Sequence, residues 1–325
     1  MDKKKKKLFY KIFSVIILII ILLILLVWTG NIRCSKIPGM CSIYWGTQSL
    51  ISGKQQPSIM IIHDPFQKEG MGNPYLLQKY LKEGTNSRIN STLENINYIS
   101  QDKLKGVSLI IVDKAKKIST NQLEMFIDYI SKGGRLIWIG DSGTEKDIND
   151  KFLTKGDLEA SFDKNIINPW ARLNSENYMI RFDDILGVEY ISNYCDIKKC
   201  SKKTYEIIQG QKTEYFSPEQ YNGNLIPTKN HPLTYALNDY LKIKDDFSIV
   251  TVKGSKIIPL KLDYGSNIYA NSTQEIGDQS IFPLIVVSNS NRVAYYSIPP
   301  EYFVENEDKE KYTSIIENII DGMLK

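Results

Sequence analysis

Residues 106–144, GVSLIIVDKAKKISTNQLEMFIDYISKGGRLIWIGDSGT, constrain the fold more than any other stretch. Positions 107–112 are a short apolar run without alternation, as expected of a strand buried on both faces. Ser119 or Thr120 can cap the helix that follows, where Leu123, Phe126, Ile127 and Ile130 recur at helical spacing. Gly133 and Gly134 stop it, because glycine tolerates the left-handed conformation common at helix ends. Residues 135–139 are a second apolar strand, and Gly140-Asp141-Ser142-Gly143 is the turn after it. Two parallel strands joined by a crossover helix are the unit of a doubly wound, mostly parallel α/β sheet.

The start of the chain points to a membrane. Lysines fill positions 3–7 and 11, and residues 12–28 are apolar except for Ser14. About 20 apolar residues span a bilayer core. The lysines precede the span, so the positive-inside rule places the N-terminus in the cytoplasm and the rest outside. A cleaved signal peptide would have an apolar core of about 7–15 residues and small residues at the cut. Val27-Trp28-Thr29-Gly30 does not fit that pattern. The expected organisation is a cytoplasmic tip and transmembrane anchor (1–29), a stalk rich in Gly, Ser, Gln and Pro (30–57), and an α/β domain (58–325). Taking away Asp2 and the six lysines turns the formal charge of +4 into about −1, which excludes a basic nucleic-acid-binding surface.

The four cysteines form two close pairs, Cys34 with Cys41 and Cys195 with Cys200. In an oxidising exterior each pair can close a local disulfide. Four free thiols are the alternative. Neither pair has zinc-site spacing, and His63 and His231 stand far apart, so no metal is expected. No cofactor is expected either.

Strands are predicted at 58–63, 88–93, 247–252, 257–262, 281–287 and 292–298, with a hairpin turn at 288–291. Helices are predicted at 75–83, 175–186, from Asn230-His231-Pro232 to about 240, and at 308–324. Residues 144–174 are polar and suit short helices. Residues 189–224 show no period and read as an insertion packed on the sheet, with Tyr205, Tyr215, Phe216 and Tyr221. Asn90 and Asn271 head glycosylation sequons.

Three segments, ISTNQLEMFIDYISKGGRLIWIGD, KNHPLTYAL and FPLIVVSNSNRVAYYSIPPEYF, resemble in this order the class I glutamine amidotransferase-like superfamily, particularly its ThuA-like and other non-amidotransferase branches. The resemblance covers roughly 58–325, with a poorly matched middle. It implies a flavodoxin-like sheet closed by a C-terminal β-hairpin and helix. In true amidotransferases the turn after the strand matching 135–139 carries a nucleophilic cysteine, completed by a downstream His and an acidic residue. Here that turn has no cysteine, and no His-x-Glu occurs near the C-terminus. Glutaminase activity should therefore not carry over, and a binding or scaffolding role is the implication.

Chemistry is expected at the strand ends. In an open parallel sheet these face one crevice, where ligands bind. His63, Asp64, Asp113, Asp141 and Ser142 are the candidate ligand-binding residues, with Asp141 and Ser142 the only catalytic candidates. A serine nucleophile needs a base within hydrogen-bond reach, and the sequence places neither histidine there. The alternative is a set of polar strand ends wet by solvent. The leading expectation is a single-pass membrane protein with a catalytically inactive exterior domain, binding a protein or glycan in a surface or transporter complex. The rival is an anchored hydrolase acting on a carbohydrate or ester through Asp141 and Ser142.

Overall fold

The structure is a computed structural model of the 325-residue chain. It describes residues 3–29, 57–67, 70–83, 89–198, 201–206, 212–217, 221–228, 231–235, 240–243, 246–264, 268–271, 274–276, 280–288, 291–303 and 309–324, with single positions 32, 37, 40, 43–47 and 237. In some of these stretches only the backbone is described.

Two compact units form, Met1–Gln56 with Thr85–Ile89, and Pro57–Gly84 with Asn90–Lys325. The first contains helix α1 (Lys3–Trp28). Its side chains are described from Lys11 to Val27, and Ile12, Phe13, Val15, Leu18 and Leu22 are exposed. No helix among the described residues is long and apolar enough to cross a membrane.

The second unit is built on a nine-stranded sheet. In chain order its strands are β1 (Ser58–His63), β2 (Asn90–Asn95), β3 (Leu109–Val112), β4 (Leu136–Ile139), β5 (Tyr221–Pro227), β6 (Tyr240–Ile243), β7 (Ile257–Asp263), β8 (Ile281–Ser288) and β9 (Val293–Tyr296). Across the sheet the order is β6-β5-β7-β8-β9-β4-β3-β1-β2. From β9 to β2 every neighbour is parallel, the doubly wound core expected from the sequence. The other pairings are antiparallel. The expected C-terminal hairpin, β8–β9, is therefore only part of a larger antiparallel wing.

Burial explains the core strands. Every residue of β3 and β4 is inaccessible to solvent, which suits their unbroken apolar runs. Helix α3 (Thr120–Ser131) crosses between them, after α2 (Pro74–Glu83). Ser119 and Gln122 form a reciprocal capping box at its start. At its end Gly133 takes φ +94°, and a Cβ on Gly134 would lie 2.4 Å from the Tyr129 ring. One sheet face packs Trp138 edge-on against Phe126 of α3, with Phe182, Trp170 and Tyr295 completing an aromatic core. Helices α2 and α4 (Lys309–Met323) lie outside that cluster and touch each other.

Two expected helices need correction. Residues 175–186 are not one helix. Met179–Arg181 pairs back on Ala171–Leu173 through a turn with Asn177 at φ +61°, and only Phe182–Leu186 is helical. The Asn-His-Pro segment opens a single 3-10 turn, Pro232–Thr234, capped by His231 Nδ1, which accepts from the Leu233 backbone at 3.2 Å. Tyr240–Ile243 then pairs with β5 as a strand. The stretch 144–174 has one short helix, Lys155–Glu159, beside small antiparallel strands. Residues 189–224 are strand-rich: Val188–Asn193 pairs with Ser248–Val252, and Ser201–Glu206 with Lys212–Ser217. The side chains of Tyr205, Tyr215, Phe216 and Tyr221 lie outside the described residues.

Candidate functional site

Adjacency and direction of β1, β3 and β4 decide where the polar turns go. The strands are parallel neighbours in the order β4-β3-β1. Their carboxyl ends therefore deliver His63-Asp64, Asp113-Lys114 and Gly140-Asp141-Ser142 to one edge, within two strand spacings of about 4.8 Å each. Backbone bonds lock the turns together: Asp64 N–H donates to the Lys114 carbonyl (3.1 Å) and Gly143 N–H to that of Ala115 (2.8 Å).

The edge is roofed by the protein's own chain. Segment 70–73 runs across it on the way into α2. Met71 N–H donates to Asp141 Oδ1 (3.2 Å), Gly72 N–H to the Tyr302 hydroxyl (2.9 Å) and Asn73 N–H to Glu301 Oε1 (2.5 Å). Gly70 and Gly72 take φ of +133° and +107°, and a Cβ on Gly72 would fall 1.8 Å from Asp113 Oδ1. Only glycine permits that approach.

Beneath this roof lie three carboxyl groups. Asp113 is fully buried, and neither of its carboxylate oxygens has a well-formed N–H or O–H partner. Burial pushes it up to about 8, opposed by Lys114 and the Glu301 carboxyl and helped by Asp141. Lys114 sits at φ +51° and is buried, which lowers its pKa against the pull of Asp113 and Asp141. Asp141 Oδ2 accepts from Asn193 Nδ2 (3.0 Å), with Lys116 Nζ 3.7 Å away. His63 is stacked edge-on against Tyr75 (5.3 Å), and burial lowers it to about 4, so it is neutral at pH 7. Asp64 turns away into its own loop, Oδ1 accepting from Phe66 N–H at 3.0 Å.

The structure brings together His63, Asp113 and Asp141, but Ser142 does not present a nucleophile. Its carbonyl accepts from both the Trp138 (2.8 Å) and Trp170 (2.9 Å) indoles. Its hydroxyl is fully buried and has no hydrogen-bond partner among the described residues. The turn is thus an interior one. Ser142→Ala should be neutral or stabilising by about 1 kcal/mol in urea unfolding, because it deletes an unsatisfied buried hydroxyl. A loss above about 2 kcal/mol would show a partner for that hydroxyl.

Sequence reasoning missed Glu301, Tyr302, Lys114, Asn193 and the roof itself. The doubled glycine of Gly70-Met71-Gly72 ahead of a helix start was the available signal. The 189–224 stretch contributes as expected in one respect: Tyr190 packs on Trp170 (5.8 Å) and donates to Asn193 Oδ1 (3.0 Å), which orients the Asp141 ligand. Cys195 is disulfide-bonded and buried, with its partner outside the described residues, as are Cys34, Cys41 and Cys200. No cluster of three or more potential metal ligands occurs among the described residues.

No protein-family model and no curated protein sequence matches the chain. Solved structures similar to it include a putative ThuA-like protein from Bacteroides uniformis, with TM-score 0.48 and 13% identity over 83% of this chain and 96% of that one. The N-terminal domain of mmIFT52 gives 0.43 and 12%, covering 82% and 96%. A β-galactosidase from Rahnella sp. R3 gives 0.44 and 11%, covering 87% of this chain and 34% of its own. The chain thus spans about a third of that galactosidase. At these scores the likenesses carry no argument for activity or substrate. The fold stands on the strand order above.

Proposed function

We propose that the chain is a membrane-anchored protein of the amidotransferase-like kind whose exterior α/β domain binds a protein or glycan partner and performs no hydrolysis. The observation that carries this reading is the closed strand edge. The place where a nucleophile would act is roofed by segment 70–73, and Ser142 is walled in by two tryptophans. Anchoring rests on the sequence, in which lysines at 3–7 and 11 precede the apolar residues 12–28. The disulfide bond of Cys195 fits an oxidising exterior.

Protease treatment of intact cells tests the topology. The domain should be degraded while an epitope at the lysine-rich end survives until the membrane is opened. Survival of the domain with loss of the epitope would reverse the orientation. A hydrolase screen of the full-length protein against sugar and acyl esters tests the inactive reading. Turnover abolished by Asp141→Asn would establish the hydrolase instead.

A further inference from the structure

The sequon Asn90-Ser91-Thr92 occupies a particular place in the fold. It forms the first half of β2, the outermost strand at one end of the nine-stranded sheet. Side chains alternate along a strand. Ser91 is buried, and its carbonyl accepts from Gln78 Nε2 of α2 at 2.9 Å. Asn90 and Thr92 are both exposed. The acceptor amide and the hydroxyl that the motif requires thus stand together in solvent, with the residue between them turned inward. In register, Asn90 lies beside Ser58 and Asn95 beside His63. Asn90 is therefore about 16 Å along the strand from the roofed edge. We propose that Asn90 carries an N-linked glycan, and that this glycan shields the free border of β2 from pairing with other chains.

The chemistry is transfer from a lipid-linked oligosaccharide. Asn90 Nδ2 forms a bond to C1 of the first sugar. The bond from C1 to the lipid phosphate breaks, the phosphate oxygen keeps the electron pair, and one amide proton leaves to a base. The sequon is an acceptor in chains that leave the cytoplasm, so the proposal rests on the exterior placement proposed above. The need for a shield follows from the sheet order. Among the described residues β2 pairs with β1 on one side and with no strand on the other. An open border of that kind is a template for a further strand. Its usual guards are sparse here. Asn90–Asn95 contains no lysine and no proline, and its one charge, Glu94, is engaged by Lys103 at 2.8 Å. A glycan is bulky, solubilising and confined to the surface. Standing at the entrance of the strand, it obstructs the approach of a partner and leaves the roofed edge clear.

The test is a tryptic map of the full-length protein taken from its own membranes. Asn90 falls in peptide 89–103 and Asn271 in peptide 262–292, so the two sequons are read separately. Peptide 89–103 should carry sugar mass on Asn90. Asn90→Gln and Thr92→Ala should remove it, and Thr92→Ser should retain it. With circular dichroism matching the wild type, Asn90→Gln and Thr92→Ala should both elute as larger species, and Thr92→Ser should not. A bare 89–103 peptide overturns the proposal. Protease treatment of the same intact cells shows what falls with it: degradation of the domain leaves its exterior placement standing, and protection removes that as well. A glycosylated Asn90 whose loss leaves the size unchanged overturns the shielding.

Discussion

Arg172→Met should lower the unfolding free energy by about 3–5 kcal/mol, the largest loss expected from any single substitution in this domain. Arg172 is fully buried. Its guanidinium donates to the carbonyls of Pro169 (2.8 Å), Gly143 (2.5 Å), Glu145 (3.1 Å) and Ile118, and lies 3.6 Å from Asp150. Burial lowers its pKa to about 10, still well above neutrality, so it remains charged. Methionine fills much of the same volume but leaves four carbonyls without that donor and Asp150 without its cation. Three of those carbonyls, of Gly143, Glu145 and Ile118, belong to the turn after β4 and to the segment entering α3, so much of the loss falls on the elements that set the strand edge. Lysine restores the charge and lacks the planar fork, so Arg172→Lys should recover less than half of the loss. A change below 1 kcal/mol for Arg172→Met in denaturant unfolding would show that water replaces the side chain.

Asp113→Asn should become progressively more stable than the wild type as pH rises. The sign follows from proton counting. Burial lifts Asp113 from its ordinary 3.8 to about 8. Between those values the folded state holds a proton that the unfolded state has released, so stability is full below about pH 4 and is lost as pH climbs to about 8. One proton corresponds to about 1.4 kcal/mol per pH unit. The variant lacks this slope, so the difference should grow at about that rate and level off above pH 8. His63 acts with the opposite sign: burial holds it down to about 4, so its contribution is present above about pH 6.5 and is lost as pH falls through about 4. It partly masks the wild-type decline at acid pH. Asp246, also raised by burial, adds a decline that both proteins share. Subtracting the two curves removes both. Parallel curves would show that Asp113 ionises normally.

The parallel core was legible because β1, β3 and β4 are buried on both faces and their runs carry that fact without tertiary help. Ser119, one of the two expected caps, marked the start of α3 in the same way. The antiparallel wing was harder. Tyr221–Pro227 reads YNGNLIP, which has no apolar run to read, yet it pairs antiparallel on both sides. The predicted helices at 175–186 and 230–240 failed for a related reason. A hairpin using Asn177 in the left-handed region and a capping His231 each competed locally with the helix and won. At the site, proximity of the strand ends followed from topology, but their occlusion did not. The roof depends on Glu301 and Tyr302, more than two hundred positions from the Asn73 and Gly72 amides they hold, and no local pattern announces such a partner.

The place of β9 in the sheet has a consequence for how the domain is made. Leu136 of β4 pairs on one side with Ile110 and on the other with Val293. A nascent chain synthesised through β4 therefore presents LIWI as an open, wholly apolar border until residues 293–296 arrive. Such a border invites pairing with other chains. At a synthesis rate of roughly 5–20 residues per second, that interval lasts about eight to thirty seconds. The domain thus completes its centre after its margin, and a ribosome stalled anywhere between the two strands leaves a fragment prone to aggregate. Shielding by a chaperone on the far side of translation is the natural remedy, and the length of the interval sets how long it must hold on.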